Sequence, residues 1–321
     1  MKLGILTNVV CNLSLEEALR YFKSLGIEMV EIGCGGTPGT QHCDPEVLLN
    51  DQAAFEQFKA LFAKYELGIS AFSCHGNPVH PVKEIADRYD RIMRNAVLMA
   101  EKMGVDTIVC FSGCPGSEEN SKYPHWCTTV WPFDPVPTLI WQWEQRLIPY
   151  WKDFAAFARE HNVKHIAIEM HPGFCVYNPA TLLRLREAVG PEIGANFDPS
   201  HLIWQGLDPA MFLYDFADRI YHVHIKDAKL NLNGRNGILG SHITFGDQRR
   251  GWNFVSPGHG DVDFDNIIRV LNQIGYDGPL SIEWEDSGME RVFGGTEACE
   301  FTKQINFSPS DVAFDDALKT D

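Results

Sequence analysis

No Cys-x-x-Cys pair occurs among the nine cysteines, which fall at 11, 34, 43, 74, 110, 114, 127, 175 and 299. An odd, scattered set excludes a disulfide framework and fits reduced, buried thiols. Cys74, Cys110 and Cys114 read as core or pocket-wall residues. No run approaches the ~20 apolar residues that a transmembrane helix needs. The start, MKLGILTNVV, breaks into Thr7 and Asn8 before a signal-length segment develops, so a cytoplasmic location is expected. Basic clusters are missing beyond short pairs such as Arg249-Arg250, and 27 Lys and Arg against 43 Asp and Glu leave a formal charge of −16. Such a surface repels a phosphate backbone and an anionic bilayer, so neither nucleic acid nor a membrane is an expected partner. No Gly-x-Gly-x-x-Gly follows the first apolar run, which removes the main support for dinucleotide binding. The glycine-rich GCGGTPG at 33–39 reads as a flexible loop.

What is present is a strict alternation of short β-rich runs with helical stretches. Strands are expected at 3–7, 28–32, 68–73, 107–111, 165–169, 193–197, 220–225 and 280–283. Helices are expected at 14–25, 52–65, 85–103, 138–161, 180–189, 209–217, 264–274 and 296–304. Ser14 followed by Glu17 forms a capping box, and Gly26, Gly68, Gly104 and Gly275 sit where helices should stop. Eight β-then-α units predict an α/β protein with one closed (β/α)₈ barrel over 1–305, a fold that takes ~250 residues and tolerates insertions. The tail 306–321, with Phe307, Pro309 and Phe314, would pack on the barrel or on a neighbouring subunit. Three long loops, 33–50, 112–137 and 228–263, all follow strands and therefore belong to one mouth, where long loops commonly act as lids or binding elements.

At that mouth four strands end on polar residues: Glu169 in HIAIEM, Asp198 just beyond GANF, His224 in IYHVHIKD and Glu283 in PLSIEWED. Any one of them alone would more often be a structural hydrogen-bonder. Together, three carboxylates and one imidazole converging on a common axis can close around one divalent cation. Oxygen ligands with one nitrogen suit Mn²⁺ first, then Mg²⁺, with Co²⁺, Fe²⁺ or Zn²⁺ also compatible. A cation holding a carbonyl oxygen and its neighbouring hydroxyl acidifies the intervening C–H, and a nearby carboxylate can take that proton while a second group returns it. Glu169 and Glu283 are the expected catalytic pair.

The segments IEMHPG, NFDPSH, HVHIKD and SIEWED resemble the xylose-isomerase-like superfamily, which contains sugar isomerases and epimerases, inosose dehydratases and abasic-site endonucleases. The resemblance covers about 1–305 and implies a TIM barrel with Glu169, Asp198, His224 and Glu283 as metal ligands and His201 as a substrate contact. It also implies that the two glutamates exchange protons on opposite faces of an enediolate. The ketose 3-epimerase branch carries Glu-x-x-Arg after the strand-seven histidine; here Ile225-Lys226-Asp227 follows His224, which puts that substrate class in doubt. The endonucleases use an Asp-x-His step to hold three zinc ions; none occurs here, so one metal is expected.

Other residues carry two readings each. His171 would be a second acid/base or would orient Glu169, and Lys226 would donate to a substrate oxygen or pair with Asp227. His75 would bind a sugar hydroxyl or be a satisfied pocket histidine, and Glu31 would meet substrate or close a polar contact inside the barrel. Arg249, Arg250, Trp252 and His259 would touch substrate or belong to a self-packed loop. Trp126, Trp131, Trp141 and Trp204 offer faces for sugar stacking or for packing. The expected function is a metal-dependent isomerase or epimerase of a sugar, keto-sugar or cyclitol. A lyase eliminating from 3-keto-glycosides, as in the C-glycoside deglycosidases this chain resembles, is the alternative, and a metal-stabilised binding protein without catalysis the third reading. The expected assembly is a homo-oligomer, or a hetero-oligomer with a small partner subunit for a deglycosidase.

Overall fold

The computed structural model describes residues 1–129, 131–240 and 242–312. Eight parallel strands close a barrel: β1 (Lys2–Leu6), β2 (Met29–Gly33), β3 (Gly68–Ser73), β4 (Thr107–Cys110), β5 (His165–Glu169), β6 (Ile193–Phe197), β7 (Ile220–Ile225) and, after an inserted pair β8 (Asp227–Leu230) and β9 (Trp252–Val255), β10 (Pro279–Ile282). β10 pairs with both β7 and β1, so no strand edge of the barrel is left open. Helices pack outside it, and the first, Leu15–Ser24, starts on the expected capping box: the Ser14 side chain accepts from the Glu17 amide while Glu17 accepts from the Ser14 amide.

Two register shifts shape the mouth. Between β6 and β7, Ala195 pairs with Ile220 and Asn196 with His222, so Tyr221 is skipped. Its ring packs with Ala71, Val109 and Ala167, over Gly194, where a Cβ would lie 2.2 Å from it. A second shift follows Val30 on β2 and precedes Glu31.

Three expectations are corrected. The helix expected over 138–161 is Pro135–Trp141, then a widened π turn Gln142–Leu147, then Ile148–Glu160. Pro149 has no amide to give to the carbonyl four residues earlier and its ring crowds it, so the turn before it opens. The last helix runs Arg291–Ile305, a turn and a half earlier than expected. Gly294 and Gly295 lower helix propensity, yet there they allow close packing: a Cβ on Gly294 would sit 2.4 Å from the Trp284 ring. The 228–263 loop is not structureless, because β8 and β9 pair antiparallel from Asp227–Val255 to Leu230–Trp252.

The core lies between barrel and helices, with Phe22, Trp143, Trp151 and Phe154 fully buried. The nine cysteines are free, and Cys74, Cys110 and Cys114 are buried. The first tail residues lie on the barrel: Asn306 Nδ2 donates to the Met1 carbonyl and Asn272 Nδ2 to that of Phe307. Phe314 lies outside the described residues. Among the described residues no helix is long and apolar enough to cross a membrane.

Candidate metal centre

Glu169 ends β5, Asp198 follows β6, His224 lies on β7 and Glu283 follows β10. One ligand atom from each lies within 4.8 Å of the others, and all four residues are buried. Going round the barrel the order is β5, β6, β7, β10, so the two glutamates bracket the aspartate and the histidine.

Three of the four, His224, Glu169 and Asp198, are held from behind. His224 Nε2 lies 2.9 Å from Glu31 Oε2, which also accepts from Ser281 Oγ at 2.7 Å, while Glu31 Oε1 accepts from Ser73 Oγ. Donation from Nε2 leaves the Nδ1 lone pair turned toward the cluster, the arrangement that fixes a metal-binding imidazole. Of the two readings of Glu31, the structure places the internal polar contact. Burial pushes its carboxyl up, but His224 and His222 more than offset this and hold it below the ordinary range. Glu169 is bonded through both oxygens, with His201 Nε2 at 3.1 Å on Oε1 and His75 Nε2 at 3.2 Å and Asn196 Nδ2 at 3.1 Å on Oε2. Burial disfavours its charge, and the imidazoles of His201, His224 and His75 outweigh burial, so it is ionised at neutral pH. Asp198 Oδ1 accepts from the Ser200 amide at 2.9 Å and Ser200 Oγ at 2.7 Å.

Two carboxylate oxygens of the quartet, Asp198 Oδ2 and Glu283 Oε2, are buried without a hydrogen bond among the described residues. Glu283 Oε2 lies 2.8 Å from His224 Nδ1 and 3.1 Å from Lys226 Nζ, but neither approach has hydrogen-bond geometry. Unbonded carboxylate oxygens in a dry site cost several kcal/mol unless cations face them; Lys226 Nζ, 3.1 Å from Glu283 Oε2 and 3.8 Å from Asp198 Oδ2, sets one ammonium against the three carboxylates of the quartet. The donor set therefore fits a divalent ion of the oxygen-preferring class. Burial raises the Glu283 carboxyl and Lys226 pulls it down further, to about 2. Lys226 loses by burial and gains more from Glu283 and Glu285, so its ammonium is retained.

The remaining expected residues divide. His201 bridges Glu169 and Asp198, with Nε2 at 3.3 Å from Asp198 Oδ2. His75 is held by Glu169 and packs edge-on to Phe111, as a satisfied pocket histidine does. His171 makes no hydrogen bond to Glu169; its Nδ1 lies 2.6 Å from the Pro172 carbonyl, and burial lowers it to about 3, leaving a neutral ring with Nε2 free to accept. Lys226 does not pair with Asp227, whose carboxylate accepts from the amides of Ala228, Gly258, Gly260 and Val262 and so pins the SPGHGDV turn. A Cβ on Gly260 would lie 2.0 Å from that carboxylate, which explains the glycine.

Arg249 and His259 are corrected. Arg249 is exposed and closes on Asp247, and His259 points to Glu297 at 2.9 Å on the outer face of the last helix. Arg250 is the arginine that lines the mouth, with Trp126, Trp204, Phe245, Trp252 and Phe254. Trp131 is largely exposed and Trp141 lines neither mouth cavity. Sequence reasoning missed Asn196, Glu285 and Phe254. Asn196 stands two residues before Asp198 and Glu285 two after Glu283, so the period-two rule for strands would have found both.

A family model described as "Xylose isomerase-like TIM barrel" matches residues 19–305. YfiH of Bacillus subtilis, itself uncharacterised, is 34% identical over 310 residues, 95% of this chain and 99% of that one. An inosose dehydratase of Clostridium tetani is 29% identical over 143 residues, 42% of this chain and 47% of its own length. Among solved structures, the 3-keto-D-glucoside 4-epimerase YcjR of E. coli superposes with a TM-score of 0.67 at 16% identity, covering 95% of this chain and 99% of that one.

Proposed function

Because this chain belongs to the xylose isomerase-like TIM-barrel family, whose similar members include sugar epimerases and dehydratases, we propose that it is a divalent-metal-dependent isomerase or epimerase of a sugar, keto-sugar or cyclitol. The observation that carries this reading is the buried quartet with its two unbonded carboxylate oxygens. Glu169, Asp198, His224 Nδ1 and Glu283 would hold the cation, Mn²⁺ by preference. When bound, the cation supplies positive charge beside a substrate carbonyl and so stabilises an enediolate. Glu169 and Glu283, both ionised and at opposite ends of the set, take a proton from the C–H beside the carbonyl and return it from the other side. His201 and Lys226 hold substrate oxygens, and the neighbouring carboxylates keep Lys226 charged.

A second reading, β-elimination from a 3-keto-glycoside, is favoured by His171. It is a neutral imidazole with an unused Nε2 at the wall shared by the metal chamber and the aromatic cavity above it. Incubation of the Mn²⁺-loaded protein with 3-keto-glucosides and free ketoses in D₂O tests both. Deuterium gained with the aglycone retained is the expected result; aglycone release with an unsaturated sugar would replace it by the lyase. Turnover unchanged in both Glu169→Gln and Glu283→Gln would leave a binding protein on an inherited barrel.

A further inference from the structure

The barrel mouth holds two chambers, not one. The inner, about 280 Å³, is bounded by Glu169, Glu283, Glu285, Lys226, His75 and His171. The outer, about 500 Å³, also touches His171 and is walled mainly by aromatic and aliphatic side chains from the 112–137 loop, the segments after β5 and β6 and the 238–254 stretch, with His201 and Arg250 as its other polar members. Phe254 stands near the junction, with the Lys226 ammonium 4.6 Å from its ring centre and the His201 ring edge-on at 5.3 Å. The inner chamber has the size of one sugar ring and holds the carboxylates and the Lys226 ammonium. The outer has room for a second group of at least that size.

We propose that the outer chamber is a subsite for a planar aromatic group with acceptor oxygens on its rim, carried by the sugar whose reacting carbons occupy the inner chamber. This rests on the sugar-enzyme reading above and names its substrate class. Three features select the occupant. Trp204 and Trp252 stack at 4.6 Å and 6°, and Phe245 and Phe254 at 5.4 Å and 17°, so the wall is built of flat apolar faces. Arg250 lies over Phe245 at 4.1 Å and Trp252 at 4.6 Å, tying the two stacks together. Among the described residues, the unpartnered buried side-chain atoms in this wall are Trp126 Nε1, Trp204 Nε1 and Arg250 Nε, all donors. A second sugar ring would bring a hydroxyl donor on nearly every carbon to a wall with few side-chain acceptors, and each one left unpaired costs about tenfold in affinity. An aromatic ring brings no such cost, and its ether, carbonyl or phenolate oxygens are what the donors lack.

The test compares 4-nitrophenyl β-D-glucopyranoside with methyl β-D-glucopyranoside by calorimetry and tryptophan fluorescence, with and without Mn²⁺, on wild type, Phe245→Ala and Arg250→Ala. The aryl glucoside is expected to bind at least about tenfold more tightly, and both substitutions to erase most of that preference while Mn²⁺ affinity stays unchanged. Equal affinity for the two glucosides, or a preference untouched by both substitutions, overturns the subsite. An aryl preference that persists in a protein that binds no Mn²⁺ would refute the metal reading and leave the subsite standing.

Discussion

At the strand ends, Glu169, His224 and Glu31 are held by partners from other strands or the turns that follow them, and Asp198 by Ser200 two residues on. In the roof above them, Trp126, Trp204 and Arg250 carry buried donors that nothing among the described residues accepts. The floor is made of short side chains on hydrogen-bonded backbone, with a charge arrangement complete but for a cation. The roof is made of large rings on loops, tied by stacking and by Arg250 donating to the carbonyls of Gly240 and Ile243. Chemistry needs positions fixed to a fraction of an ångström, and strands supply that; selection among attached groups tolerates looser walls.

The contrast breaks most visibly at Glu169. Glu169→Gln removes one proposed ligand and one proposed base while keeping the shape of the side chain, so kcat/KM on a turned-over sugar should fall about 10⁴-fold. Mn²⁺ content, measured by elemental analysis after dialysis, should fall with it. Retained turnover would mean that the floor is not where the reaction happens.

Stability should divide the same way. Trp151 is fully buried behind β4, its indole N–H donating to the Ser112 carbonyl at 3.0 Å, so Trp151→Ala should cost about 3–5 kcal/mol in denaturant unfolding. Phe133, in the 112–137 loop, is 69% exposed, and Phe133→Ala should stay within about 0.5 kcal/mol. Equal losses would make the loop part of the cooperative core.

A smaller effect is expected one layer below the quartet. Glu31→Gln weakens the acceptor that fixes the His224 tautomer, and Mn²⁺ affinity should drop about 10–100-fold by calorimetry without loss of fold. An unchanged affinity would show that Asn196 Nδ2, 3.1 Å from His224 Nδ1, and the neutral amide at 31 hold the ring without that charge.

The floor was far more legible in the sequence than the roof. β3, β5, β6 and β7 have the bounds read from the chain, because each is a short buried or half-buried run carrying at least one Ile and bounded by polar, Pro or Gly residues. The four polar residues at strand ends could be read together because barrel topology sends all such ends to one place. Glu31 was visible as an ionisable residue inside a strand, but which of its two readings held depends on the β2 register shift, which no local pattern announces. Alternation tells which side of a strand a residue takes; no comparable period governs a loop. The β8–β9 pair, the π turn ahead of Pro149 and the helix begun through Gly294-Gly295 were all set by packing partners distant in sequence.

Arg249 and Arg250 make the finest version of the comparison, since they are neighbours in one loop and equivalent on sequence grounds. Arg249 is spent on Asp247, through its own amide and through Nε and Nη2 of its exposed side chain. An ion pair in that setting adds little to any property of the site and is screened by salt. Arg250 lies between two aromatic stacks with its carbonyl contacts inside the wall. Arg249→Ala should therefore leave the Mn²⁺ and aryl-glucoside dissociation constants within about twofold of wild type at both low and 0.5 M salt. A larger, salt-dependent loss of glucoside affinity would place the Arg249 charge in the path of the ligand and extend the binding wall one residue outward along the loop.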